Sequence, residues 1–408
     1  MKKSIKVIEK ALGDLSIKIQ RTYTGSDLSM SETRVVQAES DFNAVTEKRT
    51  SIDNGISWNS YEADTNYFEK DGEKEILKIV SAVVPNHVTG QVVRTVMERV
   101  FFYDHKKVYE HYWTTGNLDW RDHTYIEFSD DNGVTYTKRY LLAYEDNTGP
   151  DYNLGYHGTN IEIGADGSVY TSISAPLEGI CRAYDLNAED YTQSPVVTKG
   201  VIVFAIKYKD GSYKAGKSQP IIINDFQSSR GLMEPNIVSL KSGELMLECR
   251  GSTAMSEGWK TRMKPGVSSH RWVSFSKNGV DFTDIKPLAF EKNELFYSPS
   301  SISRWVRHSV SKKLYWVGNI TPENPSGNRP RYPLVIVQFN EELNCFIKDS
   351  VMTIDDRLPG EGEFIQHSNF TFYEDRQTHS MHIEYSRLGQ NPNYRWQGDA
   401  VRITLEEE

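Results

Sequence analysis

A chain of 408 residues with 47 Lys and Arg against 56 Asp and Glu carries a formal charge of −9, and its 38% hydrophobic and 12% aromatic content is that of an ordinary packed globular protein. The acidic balance argues against nonspecific counterion-release binding to nucleic acid and docking on anionic membranes, both of which need a basic field. No run approaches the roughly 18 apolar residues of a membrane helix.

From the N-terminus, MKKSIKVIEKALGDLSIKIQ begins like a basic leader, but Glu9, Lys10, Asp14 and Lys18 interrupt any apolar stretch. The chain reads as a mature cytoplasmic protein, with secretion open only if a leader lies upstream. Beyond this, 3.6-period stretches are scarce, and short β-rich runs alternate with Gly, Asp, Asn and Lys turns. Residues 92–113 predict a hairpin turning at 104–107. Residues 158–173, 235–251, 300–319 and 368–387 predict four more, with turns at Asp166-Gly167, Ser242-Gly243, Ser311-Lys312-Lys313 and 375–378. The polar segments 62–75 and 321–331 read as loops. Cys181, Cys249 and Cys345 have no zinc spacing and read as small core residues; no cofactor or metal is expected.

The residues just ahead of these hairpins, His87, His157, Glu234, Ser298 and His367, are separated by 70, 77, 64 and 69 positions, and a further step of 66 back from His87 reaches Arg21. A repeat of this size, a hairpin followed by two further strands, predicts a single all-β domain over 1–408. A six-bladed β-propeller accounts for it, with a seven-bladed one as the alternative. A single blade cannot bury both of its faces, whereas blades in a ring cover one another; a pair of β-sandwiches has no reason to repeat.

Two segments, 51–58 (SIDNGISW) and 129–136 (SDDNGVTY), fit Ser-x-Asp-x-Gly-x-x-aromatic, and 276–282 (SKNGVDF) is a shortened copy without the Asp. The Asp caps local amides and the Gly supplies a positive φ, so these are structural turns. They resemble the Asp-box (BNR) repeats of sialidase-like propellers. Met233-Glu234-Pro235 leading to Arg250 resembles the sialidase segment in which a Glu-Pro opens a blade and an Arg closes its second strand. Asn328-Arg329-Pro330-Arg331 resembles the segment that supplies another arginine of the substrate-carboxylate clamp. Glu39-Ser40-Asp41 resembles the region of the general acid/base aspartate. The family's Phe-Arg-Ile-Pro motif is absent, with Arg21 and Arg34 as weak stand-ins. Gln366-His367-Ser368 stands where the family has Ala-Tyr-Ser, so an imidazole replaces the nucleophilic tyrosine.

The resemblance implies catalytic roles for Asp41, Glu234 and His367, and substrate binding by Arg34, Arg250 and Arg331, whose guanidinium forks match a carboxylate. His87, His157 and Tyr297 join the substrate-binding set because the repeat places them at equivalent openings. Three imidazoles can hold a metal, but hydrogen bonds to sugar hydroxyls are the expected use. Trp113, Trp120, Trp259 and Trp305 are capable of stacking on sugars, yet tryptophans in such a fold mostly join blades, and none is assigned. The expected function is an exo-acting glycoside hydrolase that takes a terminal acidic or deoxy sugar from an oligosaccharide. The alternatives are a polysaccharide lyase acting on uronates and a noncatalytic glycan-binding propeller.

Overall fold

The computed structural model describes residues 1–39, 42–64, 68–149, 151–209, 212–255 and 267–407. The chain forms two compact units, Met1–Asp64 with Leu288–Glu408, and Thr65–Pro287. Among the described residues each contains three antiparallel sheets of four or five strands. Among the described residues no helix is long and apolar enough to cross a membrane.

In the first unit, Ser16–Tyr23, Met30–Glu39, Phe42–Ser51 and Glu62–Ala63 form one sheet. Arg304–Arg307, Leu314–Asn319 and Leu334–Asn340 form the next, with Cys345–Phe346 and Met352–Asp355 both paired to the last of these. The third joins Thr371–Glu374, Met381–Ser386 and Ala400–Glu406 to the N-terminal strand Lys2–Glu9, which pairs from Lys2 opposite Glu406. Sequential strands are hydrogen-bonded neighbours except at Met352–Asp355, which pairs back to Leu334–Asn340, and at this last pairing, which joins strands from the two ends of the chain in one sheet.

The second unit has sheets Phe68–Asp71, Lys74–Pro85, Val92–Phe101, Trp120–Ser129 and Lys138–Leu141; Tyr156–His157 with Glu162–Ile163, Val169–Pro176, Lys199–Lys209 and Ser212–Lys217; and Met233–Ser239, Leu245–Arg250, Arg271–Ser276 and Lys286–Pro287. All eight residues of Val169–Pro176 are buried, so this strand faces apolar neighbours on both sides. Ile173, Ile202 and Phe204 pack on Val93, Ile126 and Phe128 of the preceding sheet. Tyr170, Val201 and Val203 pack on Ile237 and Leu247 of the following one. In the first unit Tyr315, Val317 and Leu334 meet Met381, Ile383 and Val401 in the same way. Two-sided burial, at about 1.5–3 kcal/mol per large side chain, is what stacking of blades supplies and an isolated sheet lacks.

Four of the five expected hairpins form, with Gly167, Gly243, Lys312 and His379 at positive φ in their turns. Residues 92–113 do not. Val92–Phe101 is a strand, but Asp104 accepts the amides of Lys106 and Lys107 and opens the α-helix His105–Thr115. The hairpin of that sheet is Lys74–Pro85 with Val92–Phe101. The segment 62–75, expected to be a loop, contributes strand residues at Glu62–Ala63 and Phe68–Asp71.

The two Ser-x-Asp-x-Gly turns share one geometry. Ser51 Oγ donates to Asp53 Oδ1 at 2.7 Å and receives the Gly55 amide at 2.9 Å, while the Ser57 amide and hydroxyl reach Asp53 at 2.9 and 2.6 Å. These bonds, Ser57 first, hold the Asp53 carboxyl down to about 2. Ser129, Asp131, Gly133 and Thr135 repeat the pattern. In the third copy Asn278 takes the place of the Asp, accepting the Asp281 amide at 2.9 Å.

Candidate active site

The strand Met233–Ser239 begins irregularly. Met233 pairs with Arg250 and Asn236 with Glu248, so Glu234 and Pro235 together oppose Cys249 in a β-bulge. Bulges re-aim side chains, and a proline that has no amide to donate is at home in one. The Pro235 carbonyl is held by the amide and hydroxyl of Thr159 at 2.8 and 3.1 Å. Asn160 brackets Ile237 by donating to its carbonyl at 2.6 Å and accepting its amide at 2.9 Å. Within this frame Glu234 adopts φ 48, a left-handed backbone that costs a non-glycine residue about 1–3 kcal/mol and that clusters at functional sites. Its carboxylate lies 2.9 Å from Arg250 Nη1 at the end of the partner strand.

Tyr156 and His157 open the neighbouring sheet opposite Ser174 and Ile173. Removal of water pushes the Tyr156 phenol up to about 12, reinforced by the charge of Glu234 and opposed by Arg250 and Arg230. The phenol therefore keeps its proton and acts as a donor. His157 Nδ1 is 2.8 Å from the Gly158 carbonyl; that oxygen only accepts, so Nδ1 carries the proton.

Behind the ion pair the charges continue inward. Arg250 pairs across the strands with Arg271, which is 1% exposed. Arg271 Nη1 lies 3.5 Å from Oε1 of the fully buried Glu248, whose other oxygen accepts from Asn236 at 2.8 Å. Burial lowers the Arg271 pKa, with the charge of Glu248 opposing. Glu234, Arg250, Arg271 and Glu248 thus make two acid–arginine pairs side by side, one partly exposed and one fully enclosed.

The remaining candidates are placed differently. Asp41 and Trp259 lie outside the described residues. His87 sits exposed in the turn after Lys74–Pro85, at the turn end of its hairpin, whereas Glu234 and His157 stand at the opening end of theirs. Its assignment to an equivalent opening is corrected, because the displaced hairpin shifted the register. Arg34 is committed to structure: Nη2 lies 2.5 Å from Glu9 and Nη1 2.8 Å from Glu47, binding the N-terminal strand to its neighbours. Arg331 donates to Gln366 Oε1 at 2.9 Å, the Ser300 carbonyl at 2.9 Å and the Asn328 carbonyl at 3.1 Å. Its own carbonyl receives the His367 amide at 2.9 Å. Half-buried Tyr297 meets Thr321 through a backbone bridge. Among the described residues no three His, Cys, Asp or Glu side chains gather into a metal-holding group.

His367, expected to be a catalytic base, is fully enclosed in this structure. Its Nε2 is 4.0 Å from Asp355 Oδ2, and neither ring nitrogen has a hydrogen-bond partner among the described residues. Asp355 is taken by Tyr385 and Arg387, and Arg387 extends to Glu361 at 2.7 Å. Burial, partly offset by Asp355, pushes the imidazole down to about 4. The unfolded chain takes this proton near 6.5 and the folded one only near 4. Between these values the unfolded state holds more protons and stability rises with pH. Stability is therefore complete above pH 6.5 and declines by roughly 3 kcal/mol as the pH falls to about 4. Urea unfolding at a series of pH values checks this: replacement by Phe is expected to remove that slope, and an identical slope in H367F would refute the assignment.

No family model matches the chain, and no curated protein matches it. Solved structures do. A protein of unknown function from Dyadobacter fermentans superposes with a TM-score of 0.60 at 11% identity over 98% of this chain and 99% of that one. The NanB sialidase of Streptococcus pneumoniae gives 0.58 at 11% identity, covering 98% of this chain and 70% of its own. The leech intramolecular trans-sialidase gives 0.54 at 10% identity over 95% and 67%. With its six sheets, the chain has the six-bladed β-propeller fold, and sialidases are among its structural neighbours; at these identities the likeness is one of fold.

Tyr156 and the Glu248–Arg271 pair were not singled out from the sequence. The nearest signal for Tyr156 was its neighbour His157, an indirect one because adjacent strand residues face opposite sides.

Proposed function

We propose that this chain is a carbohydrate-active enzyme, an exo-acting glycoside hydrolase that removes a terminal acidic or deoxy sugar from an oligosaccharide. The observation that carries the reading is the strained Glu234, held at a bulge against Arg250, with its charge felt at the Tyr156 phenol. Arg250 neutralises the acid group of the sugar through its guanidinium fork. Glu234 takes a proton from the water as its oxygen bonds to the anomeric carbon, the glycosidic C–O bond breaks and the leaving oxygen is protonated from solvent. Tyr156, protonated at neutral pH, donates a hydrogen bond to a substrate oxygen. The sialidases among the neighbours share the fold and accord with a glycosidic substrate.

A lyase would instead use a base on the proton beside the uronate carboxyl and release an unsaturated product. The test is a turnover screen of sialosides, uronides and rhamnosides beside uronate oligosaccharides. Release of reducing sugar supports hydrolysis. An unsaturated, ultraviolet-absorbing product without it transfers the chain to the lyases, and no turnover of any member counts against an enzyme.

A further inference from the structure

The α-helix His105–Thr115 interrupts the strand pattern of its sheet, between Val92–Phe101 and Trp120–Ser129. Asp104 caps its start and Gly116, at φ 79, its end. Val108 and Tyr112 anchor it among Phe101, Trp120, Val197 and Ala254. The next residue, Trp113, remains 41% exposed. The Arg230 guanidinium lies 5.6 Å from its ring centroid, and Arg230 Nη2 donates to the Tyr112 hydroxyl at 3.4 Å.

Arg230 reaches this ring from the segment that leads into Glu234, and that segment is firmly held. The Ser229 amide bonds to the Ser252 carbonyl and the Ser252 amide to Ser228 Oγ, both at 2.9 Å, just beyond Arg250. Gly231, at φ 66, passes so close to the Lys199 carbonyl that a Cβ would fall 2.0 Å from its oxygen, so only glycine fits this turn. The Lys199 amide in turn bonds the Arg230 carbonyl at 2.9 Å. The positive charge of Arg230 is felt at the Tyr156 phenol. Arg230 thus stands beside the exposed indole, four residues ahead of Glu234, in a segment hydrogen-bonded to the one just beyond Arg250.

We propose that Trp113 and Arg230 form a second sugar subsite for the ring that carries the leaving oxygen, so that substrate is recognised over at least two residues of an oligosaccharide. The indole offers a flat apolar face to the C–H side of a sugar ring. The guanidinium beside it donates to hydroxyls or a carboxylate of the same ring. This rests on the glycosidase reading, which supplies the first subsite.

The test titrates the full chain carrying E234Q, by calorimetry, with 3′-sialyllactose against N-acetylneuraminic acid and with digalacturonate against galacturonate. At least one oligosaccharide is expected to bind about tenfold more tightly than its monosaccharide. Adding W113A is expected to abolish that ratio and adding R230Q to reduce it. A ratio unchanged in both variants, or no oligosaccharide that outbinds its monosaccharide, overturns the subsite. Turnover by the unaltered chain is read separately: Trp113-dependent binding without cleavage removes the glycosidase reading and leaves the subsite standing.

Discussion

Replacing Glu234 by Gln is expected to lower kcat on any glycoside the chain hydrolyses by about 10³-fold, the loss typical of removing a positioned proton acceptor. The amide keeps the shape of the side chain, so the bulge, the left-handed backbone and the hydrogen bonds of Thr159 to the Pro235 carbonyl remain. Unfolding of the E234Q protein should accordingly differ little from that of the parent. If the residue served only to balance Arg250, the result would be the reverse: a shift in stability with kcat retained.

The second large effect concerns the enclosed pair. Glu248 is 0% and Arg271 1% exposed, on adjacent strands of one sheet, and removing one partner leaves the other charge buried without compensation. Glu248→Ala is expected to cost about 3–5 kcal/mol in urea unfolding. Replacing both by apolar residues, Glu248→Leu with Arg271→Met, is expected to cost much less, because the desolvation penalty of the two ions disappears with their attraction. A single substitution that lowers stability by under about 1 kcal/mol would mean that the charges are solvated in the folded chain.

Much of the fold was legible because turn chemistry is local. Asp166-Gly167 and Ser242-Gly243 sit between β-rich runs, and their glycines take the positive φ such turns require. The failure at residues 92–113 has a specific cause. Asp, His and Lys at 104–107 suit a turn and a helix start equally well, and only the spacing of Val108 and Tyr112 with Gly116 beyond them marks the helix. That one misreading moved the repeat register and carried His87 to the wrong end of its hairpin.

Of the site, Glu234 and Arg250 were legible as the Glu-Pro and Arg that bound one hairpin, and the structure joins them in an ion pair. Arg34 was not, since its partners Glu9 and Glu47 lie 25 and 13 positions away in sequence. Nor was the enclosure of His367, whose packing against Tyr385 and Asp355 comes from strands that only the tertiary fold brings near. Glu248 and Arg271 were hidden for a related reason. A lone charge in an apolar strand reads as a solvent-facing position, whereas both of these strands are covered on both sides.

The most direct measurement is a crystal structure of the E234Q protein soaked with a glycoside that the unaltered chain cleaves. The terminal sugar is expected with its acid group on Arg250 and its anomeric carbon facing residue 234, within reach of the Tyr156 hydroxyl. A sugar bound elsewhere, with Arg250 and Tyr156 untouched, would contradict the assignment of this bulge as the catalytic site.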